Sequence, residues 1–207
     1  MTNAKESGRD IYGDDDFKSM RERAKVQRGE EFRLRALALI GLFRTGKRRS
    51  EVARLKVSDL SIEQDFLVVV FHISKTRKAQ ASDISTRREK ALPLSSIYAQ
   101  DIRAYWDFIK TNYPDCVYLF PSSRNIFTTR IINKDAHLSG RQLLFIIKTL
   151  TPTGWCHLFR ETAGGEIARQ EGNSITAIYK IKSRLDLKQP ETAFHYINRY
   201  ARDVIKV

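Results

Sequence analysis

The chain has 207 residues, with 37 Lys and Arg against 24 Asp and Glu, a formal net charge of +13, 42% hydrophobic residues and 10% aromatics. That length suits one ordinary domain with its own core, and no apolar run approaches the roughly 18–20 residues that a membrane-spanning helix needs. The polar start "MTNAKESGRDIYGDDDFKSM" lacks the pattern of a secretory signal, so a cytoplasmic protein is expected, and a cationic surplus of this size favours a polyanion, nucleic acid foremost.

Residues 1–16 are rich in Gly, Asp and Ser and poor in apolar side chains, which predicts a disordered tail before a folded domain over 17–207. A helical pattern runs from Phe17 to Leu42, with Leu34, Leu37 and Ile40 at three-residue steps along one side. Gly46 in "RTGKRRSEVARL" reads as the stop of that helix, and Ser50 as the cap of a second one carrying Val52 and Leu55, which leaves Arg48 and Arg49 in a turn. "DFLVVVFHIS" is a β-branched and aromatic run too short for most helices, and "REKALPL" is its natural partner. The two predict a hairpin with a long, basic tip.

"SSIYAQDIRAYWDFIKTNYP" has a serine start, apolar spacing through Ile102, Tyr105, Trp106 and Ile109, and a proline stop, so it predicts a helix. The short apolar "CVYLFP" and a basic loop follow, then a helix over "LSGRQLLFIIKTL" with Ser139 as its cap. A further helix opens at His157 and ends near Gly172, and "NSITAIYKIKSRL" and "PETAFHYINRYARDVIKV" read as two more helical stretches. Cys116 and Cys156 are too few and too far apart for a disulfide framework or a zinc site, and read as core thiols.

Within this layout the chemistry concentrates on cations and hydroxyls. His157 and Arg160 stand three apart on one helix, so both can point into one pocket near the helix start, where free N–H groups also favour an anion. Arginine suits a phosphate clamp because its planar fork makes paired bonds and stays charged. Histidine trades protons near neutral pH. Taken alone, an HxxR pair fits a solvated face as readily as a pocket.

The order of the pieces adds to this. "TGKRRSEV", the hairpin with "SKTRK", "YLFPS", "HLFR" and the C-terminal "PETAFHY" together resemble the catalytic domain of the tyrosine recombinase, or phage integrase, family, from about Arg33 onward. The resemblance implies a mostly helical α+β fold with a small antiparallel sheet at one edge. It matches the TGxRxxE box to Thr45, Gly46, Arg48 and Glu51, implying Arg48 as the first phosphate-clamp arginine and Glu51 as the residue that holds the box together. The hairpin lysine that protonates the leaving 5′ oxygen would be Lys75, with Lys78 as the alternative. HLFR stands for the family's HxLR, which makes His157 a proton acceptor and Arg160 the second clamp. The residue after it is usually basic or aromatic and here is Glu161.

"PETAFHY" resembles PETTxxY and implies Tyr196 as nucleophile, with Tyr200 four residues on as a packing partner. Counting back, the family's GH dipeptide falls on Asp186 and Leu187, so its histidine is absent. Adjacent Lys188 would then substitute, or the pocket works with fewer donors, or cleavage has been lost. The implied activity is breakage and rejoining of double-stranded DNA through a 3′-phosphotyrosyl intermediate, with neither metal nor cofactor, within a homotetramer assembled on DNA. "RYARDVIKV" would then be a tail that passes between subunits or packs on its own. No room for a separate core-binding domain is expected before Phe32. The rival readings are strand relaxation of the type IB topoisomerase kind and a non-catalytic DNA-binding descendant.

Overall fold

The computed structural model describes residues 11–72, 87–126, 129–151 and 156–201. The first helix, α1 (Asp14–Lys25), starts three residues before Phe17, and Ile11 and Tyr12 ahead of it are buried. The acidic run that reads as tail composition is in fact a helix start: the Asp16 carboxylate accepts the Gly13 N–H at 2.9 Å, and three aspartates in the first turn complement the positive end of the helix dipole. Tyr12 donates its N–H to Thr162 Oγ1 at 2.9 Å, which fixes this segment to a helix far along the chain. The expected disordered tail therefore does not extend through residues 11–16.

The continuous pattern expected over 17–42 divides into α1 and α2 (Glu30–Arg44), separated at Gly29, whose φ of 87° is left-handed. Ala36, Ala38, Leu39, Ile40, Leu42 and Phe43 are fully buried, whereas Leu34 and Leu37 are half-buried. The expected stripe is therefore the flank of a helix enclosed on most sides. Opposite it lies α4 (Ile97–Asn112), capped at Ser96 and burying Ile102, Tyr105, Trp106 and Ile109 as the spacing predicts.

Between these helices come α3 (Arg49–Ala53) and an antiparallel sheet in the order β1 (Leu60–Glu63), β2 (Phe66–His72), β3 (Arg87–Pro93). β2 and β3 form the expected hairpin, with Val69 opposite Lys90. β1 was not expected, because four residues ending in Glu carry too little alternation to stand out. The cap of α3 is Arg48 and not Ser50: the Glu51 carboxylate accepts the Arg48 N–H at 2.8 Å.

The stretch read as a basic loop forms a second hairpin, β4 (Pro121–Ile126) with β5 (Thr129–His137). Its polar strands give no apolar alternation to read, and a tertiary ion pair anchors them. Arg130 donates to both oxygens of the buried Glu31 on α2, at 2.5 and 2.7 Å. Then follow α5 (Gly140–Leu150), capped by Ser139 Oγ, α6 (His157–Glu171), α7 (Ile175–Leu185), capped by Ser174 Oγ, a 3-10 turn over Pro190–Ala193 and α8 (Phe194–Tyr200). Cys116 is buried and Cys156 is half-buried. Among the described residues no helix is long and apolar enough to cross a membrane.

Two cores result. The larger fills the space among α1 to α5, the sheet and the start of α6, and holds Phe17, Phe43, Phe71, Tyr105, Phe120 and Phe159. The smaller lies among α6, α7 and α8, where alanines 163, 168, 177, 193 and 201 surround Tyr196, Ile197 and Tyr200. The fold is thus a mostly helical α+β domain with a small antiparallel sheet.

Candidate active site

The turn after α2 is built for close approach. Gly46 has φ 81°, and a Cβ there would stand 2.6 Å from Leu185 Cδ2 and 3.1 Å from Ala163 Cβ, so both conformation and space demand glycine. Thr45 closes the helix end by donating its hydroxyl to the Leu42 carbonyl at 2.6 Å. Arg48 follows, held twice by the buried Glu51: through its backbone N–H, and through Nη1 to Oε1 at 3.0 Å. Glu51 therefore fixes both the backbone and the guanidinium of Arg48.

Arg160 comes from the first turn of α6 and is buried. Its Nη1 donates to the Gly46 carbonyl at 2.6 Å and its Nη2 to the Leu185 carbonyl. One side chain thus joins the turn before α3, the end of α7 and its own helix. Burial, and then the charge of Arg48, lower its pKa, which marks two guanidiniums gathered at one place. His157, the first residue of α6, is half exposed, with Nε2 3.2 Å from Glu161 Oε1. A cleft of about 400 Å³ is lined by Lys47, Arg48, Arg49, Cys156, His157 and Arg160, among others.

Tyr196 lies in α8, with its ring against α6. A Cβ on Gly164 would come within 2.7 Å of Tyr196 Cε1, so the ring occupies space that only a glycine leaves open. Gly165 makes similar room for Tyr200, at 3.1 Å from Cδ2. Burial raises the pKa of the Tyr196 hydroxyl, and so does the charge of Glu161, whereas the Arg160 charge and hydrogen bond, and the charge of Arg48, act against the rise. The 3-10 turn gives way to α8 at Phe194, a change of helix type before Tyr196, yet the tyrosine sits within the helix and is buried. Tyr200 is buried as well and donates to Glu161 Oε2 at 3.2 Å.

At the third-box position, Asp186 ends α7 in the left-handed conformation, φ 50°, the geometry that suits a glycine. Leu187 packs on the smaller core. Lys188 is exposed and is not among the residues that line the cleft. Of the three alternatives for the missing histidine, substitution by Lys188 would need this exposed side chain to reach a cleft whose lining includes neither it nor Tyr196.

Sequence reasoning missed a different set of cations. Asp186 gathers the fully buried Lys47, which lies on the cleft wall, and Lys90 of β3 at 3.7 Å. Lys90 also donates to the Ser183 carbonyl at 2.8 Å, and burial together with the charge of Lys47 brings it down to about 8. No local signal announces this cluster, since its members come from a turn, a strand and a helix end. The paired Gly164 and Gly165 in mid-helix did offer a signal: each costs an exposed helix about 1 kcal/mol relative to alanine, so two in a row call for a packing reason. Lys75 and Lys78 lie outside the described residues, as do 202–207 of the C-terminal tail.

Neither a protein-family profile nor any curated protein sequence matches the chain. Solved structures do. The XerH site-specific recombinase bound to its difH substrate, in a pre-cleavage complex, superposes with a TM-score of 0.65 at 15% identity over 96% of this chain and 53% of that one. Its post-cleavage complex on a palindromic difH substrate gives 0.63 at 16% identity, over 98% and 54%. The Tn1549 transposon integrase bound to transposon right end DNA gives 0.58 at 13% identity, over 95% and 66%. The chain thus spans about half the length of the XerH chain and two thirds of the integrase chain. Held against these structures over nearly all of its length, the chain has the fold of a tyrosine recombinase catalytic domain.

Proposed function

We propose that the protein cleaves and rejoins double-stranded DNA as a site-specific recombinase or integrase, with Tyr196 as nucleophile. The observation that carries this reading is the meeting of Arg48, His157 and Arg160 on one cleft, with the Tyr196 ring packed against Gly164 of the helix that carries His157 and Arg160. The net charge of +13, and the DNA held in the solved structures of the same fold, support DNA as the partner.

In the proposed reaction the Tyr196 oxygen attacks the scissile phosphorus, the bond from phosphorus to the 5′ oxygen breaks, and a 3′-phosphotyrosine forms. One phosphodiester is exchanged for another, so the step conserves its energy and the second strand's 5′ hydroxyl can reverse it. Arg48 and Arg160 stabilise the charge that builds on the non-bridging oxygens. His157 takes the tyrosine proton. Lys75, carried over on the resemblance alone, delivers a proton to the leaving oxygen. Assembly as a homotetramer on DNA follows from the same reading.

A duplex carrying a nick just past the cleavage site tests this, because loss of the short 5′-hydroxyl fragment traps the intermediate. A covalent protein–DNA adduct that disappears with Tyr196→Phe is the expected result. The packing of Leu187 on the smaller core and the exposed position of Lys188 favour a second reading, a DNA-binding descendant without cleavage. Salt-sensitive duplex binding with no adduct on the proper site would establish it.

A further inference from the structure

Glu161 stands where the resemblance leads one to expect a basic or aromatic residue. It is 5% exposed, the fifth residue of α6 and one turn after His157. Its two oxygens face different helices. Oε1 lies 3.2 Å from Nε2 of His157 on α6, while Oε2 accepts the Tyr200 hydroxyl at 3.2 Å and lies 3.5 Å from Nε2 of His195, both on α8. His195 directly precedes Tyr196 and meets its ring edge-to-face, with centroids 5.2 Å apart. A carboxylate offers about four acceptor sites, and burying one without partners is costly, so this cluster is held together by what surrounds it. Burial alone would raise the pKa of Glu161. The His157 hydrogen bond, the charges of His195 and His157, and the Tyr200 hydrogen bond outweigh burial and hold it below the usual carboxylate range.

We infer that Glu161 is a positioning residue that couples His157 to the nucleophile-bearing helix, one oxygen orienting the imidazole of α6 and the other fixing α8 through His195 and Tyr200. The inference rests on the proposed reaction for its consequence, but the coupling itself exists without DNA. When α8 shifts, Oε2 loses its partners, the carboxylate turns, and His157 loses its orientation. The carboxylate thus links the placing of the nucleophile to the placing of the proton acceptor.

The test has an arm for each part. Four histidines are present, and His72 and His137 are held elsewhere, by Asp59 and by the Leu138 carbonyl. In DNA-free protein, Glu161→Gln should move the imidazole nitrogen resonances of both His157 and His195 and leave those of His72 and His137 in place. His195→Ala, a change at a half-exposed side chain, should move the His157 resonance as well, and serves if Glu161→Gln does not fold. On the nicked duplex, Glu161→Gln should slow single-turnover cleavage by about 10-fold, and adding it to His157→Gln should cost far less than that, since coupled residues do not act additively. An unmoved His157 resonance in both variants, or fully additive losses, would overturn the coupling. No adduct from the unmodified protein would overturn the proposed reaction and leave the resonance arm to decide the contact.

Discussion

The two cores of this domain are made from different residues for different ends. The larger is filled by bulky side chains, Phe17, Phe43, Phe71, Tyr105 and Phe120 among them, and Tyr12, Phe17 and Phe43 all place their rings against Phe159 or one another. The smaller is filled by alanines and glycines that leave space for two tyrosines. Arg48 and Arg160 lie at the seam, with Arg160 spanning it through the carbonyls of Gly46 and Leu185. Large apolar contacts give the first core its stability, whereas the second is shaped around hydroxyls that must be held in place. The difference teaches that the cations are positioned by backbone carbonyls and buried carboxylates at a boundary, and not by the main core.

The sharpest way to break the comparison is to exchange the roles of the two tyrosines. Tyr196→Phe should remove the covalent adduct entirely with no loss of fold, while Tyr200→Phe should keep it and lower stability by about 1 kcal/mol through the lost hydrogen bond to Glu161. An adduct that survives the first change and vanishes with the second would place the nucleophile one turn later. Arg160→Lys keeps a charge and loses the fork, so single-turnover cleavage should fall by a factor of about 100 to 1,000. A melting curve belongs beside it, because two carbonyls lose donors at the same time; unfolding without a separate catalytic loss would make the arginine a structural staple.

Phe43→Ala probes the larger core alone. It should lower unfolding free energy by about 3–5 kcal/mol, measured by denaturant titration, and leave the cleavage rate of the remaining folded protein near that of the unmodified chain. Gly164→Ala probes the smaller one. The added methyl displaces the Tyr196 ring at a stability cost of about 1–3 kcal/mol, partly offset by better helix propensity, and cleavage should fall further than stability does. If both substitutions act alike on rate and stability, the two cores are a single unit. The smallest effect belongs to Lys188→Ala, an exposed side chain, which should leave cleavage unchanged in the same single-turnover assay. A large loss there would return Lys188 to the third-box position.

Much of this domain is legible in its sequence because the relevant physics is local. The apolar spacing of α4, the serine caps of α5 and α7, the glycine that ends α2, and the β-branched run of β2 each fix their own element within a few residues. The boxes around Arg48, His157, Arg160 and Tyr196 are short, ordered motifs, and three of the four side chains do gather on the cleft or against one another. What only the tertiary structure decided depends on partners far along the chain. The β4–β5 hairpin rests on an ion pair with Glu31 of α2, and residues 11–16 are ordered by Tyr12 meeting Thr162 of α6. Lys47 and Lys90 share Asp186, and Glu161 draws two histidines and a tyrosine from two helices. A buried charge is placed by whatever can satisfy it, and no period in the sequence encodes that partner.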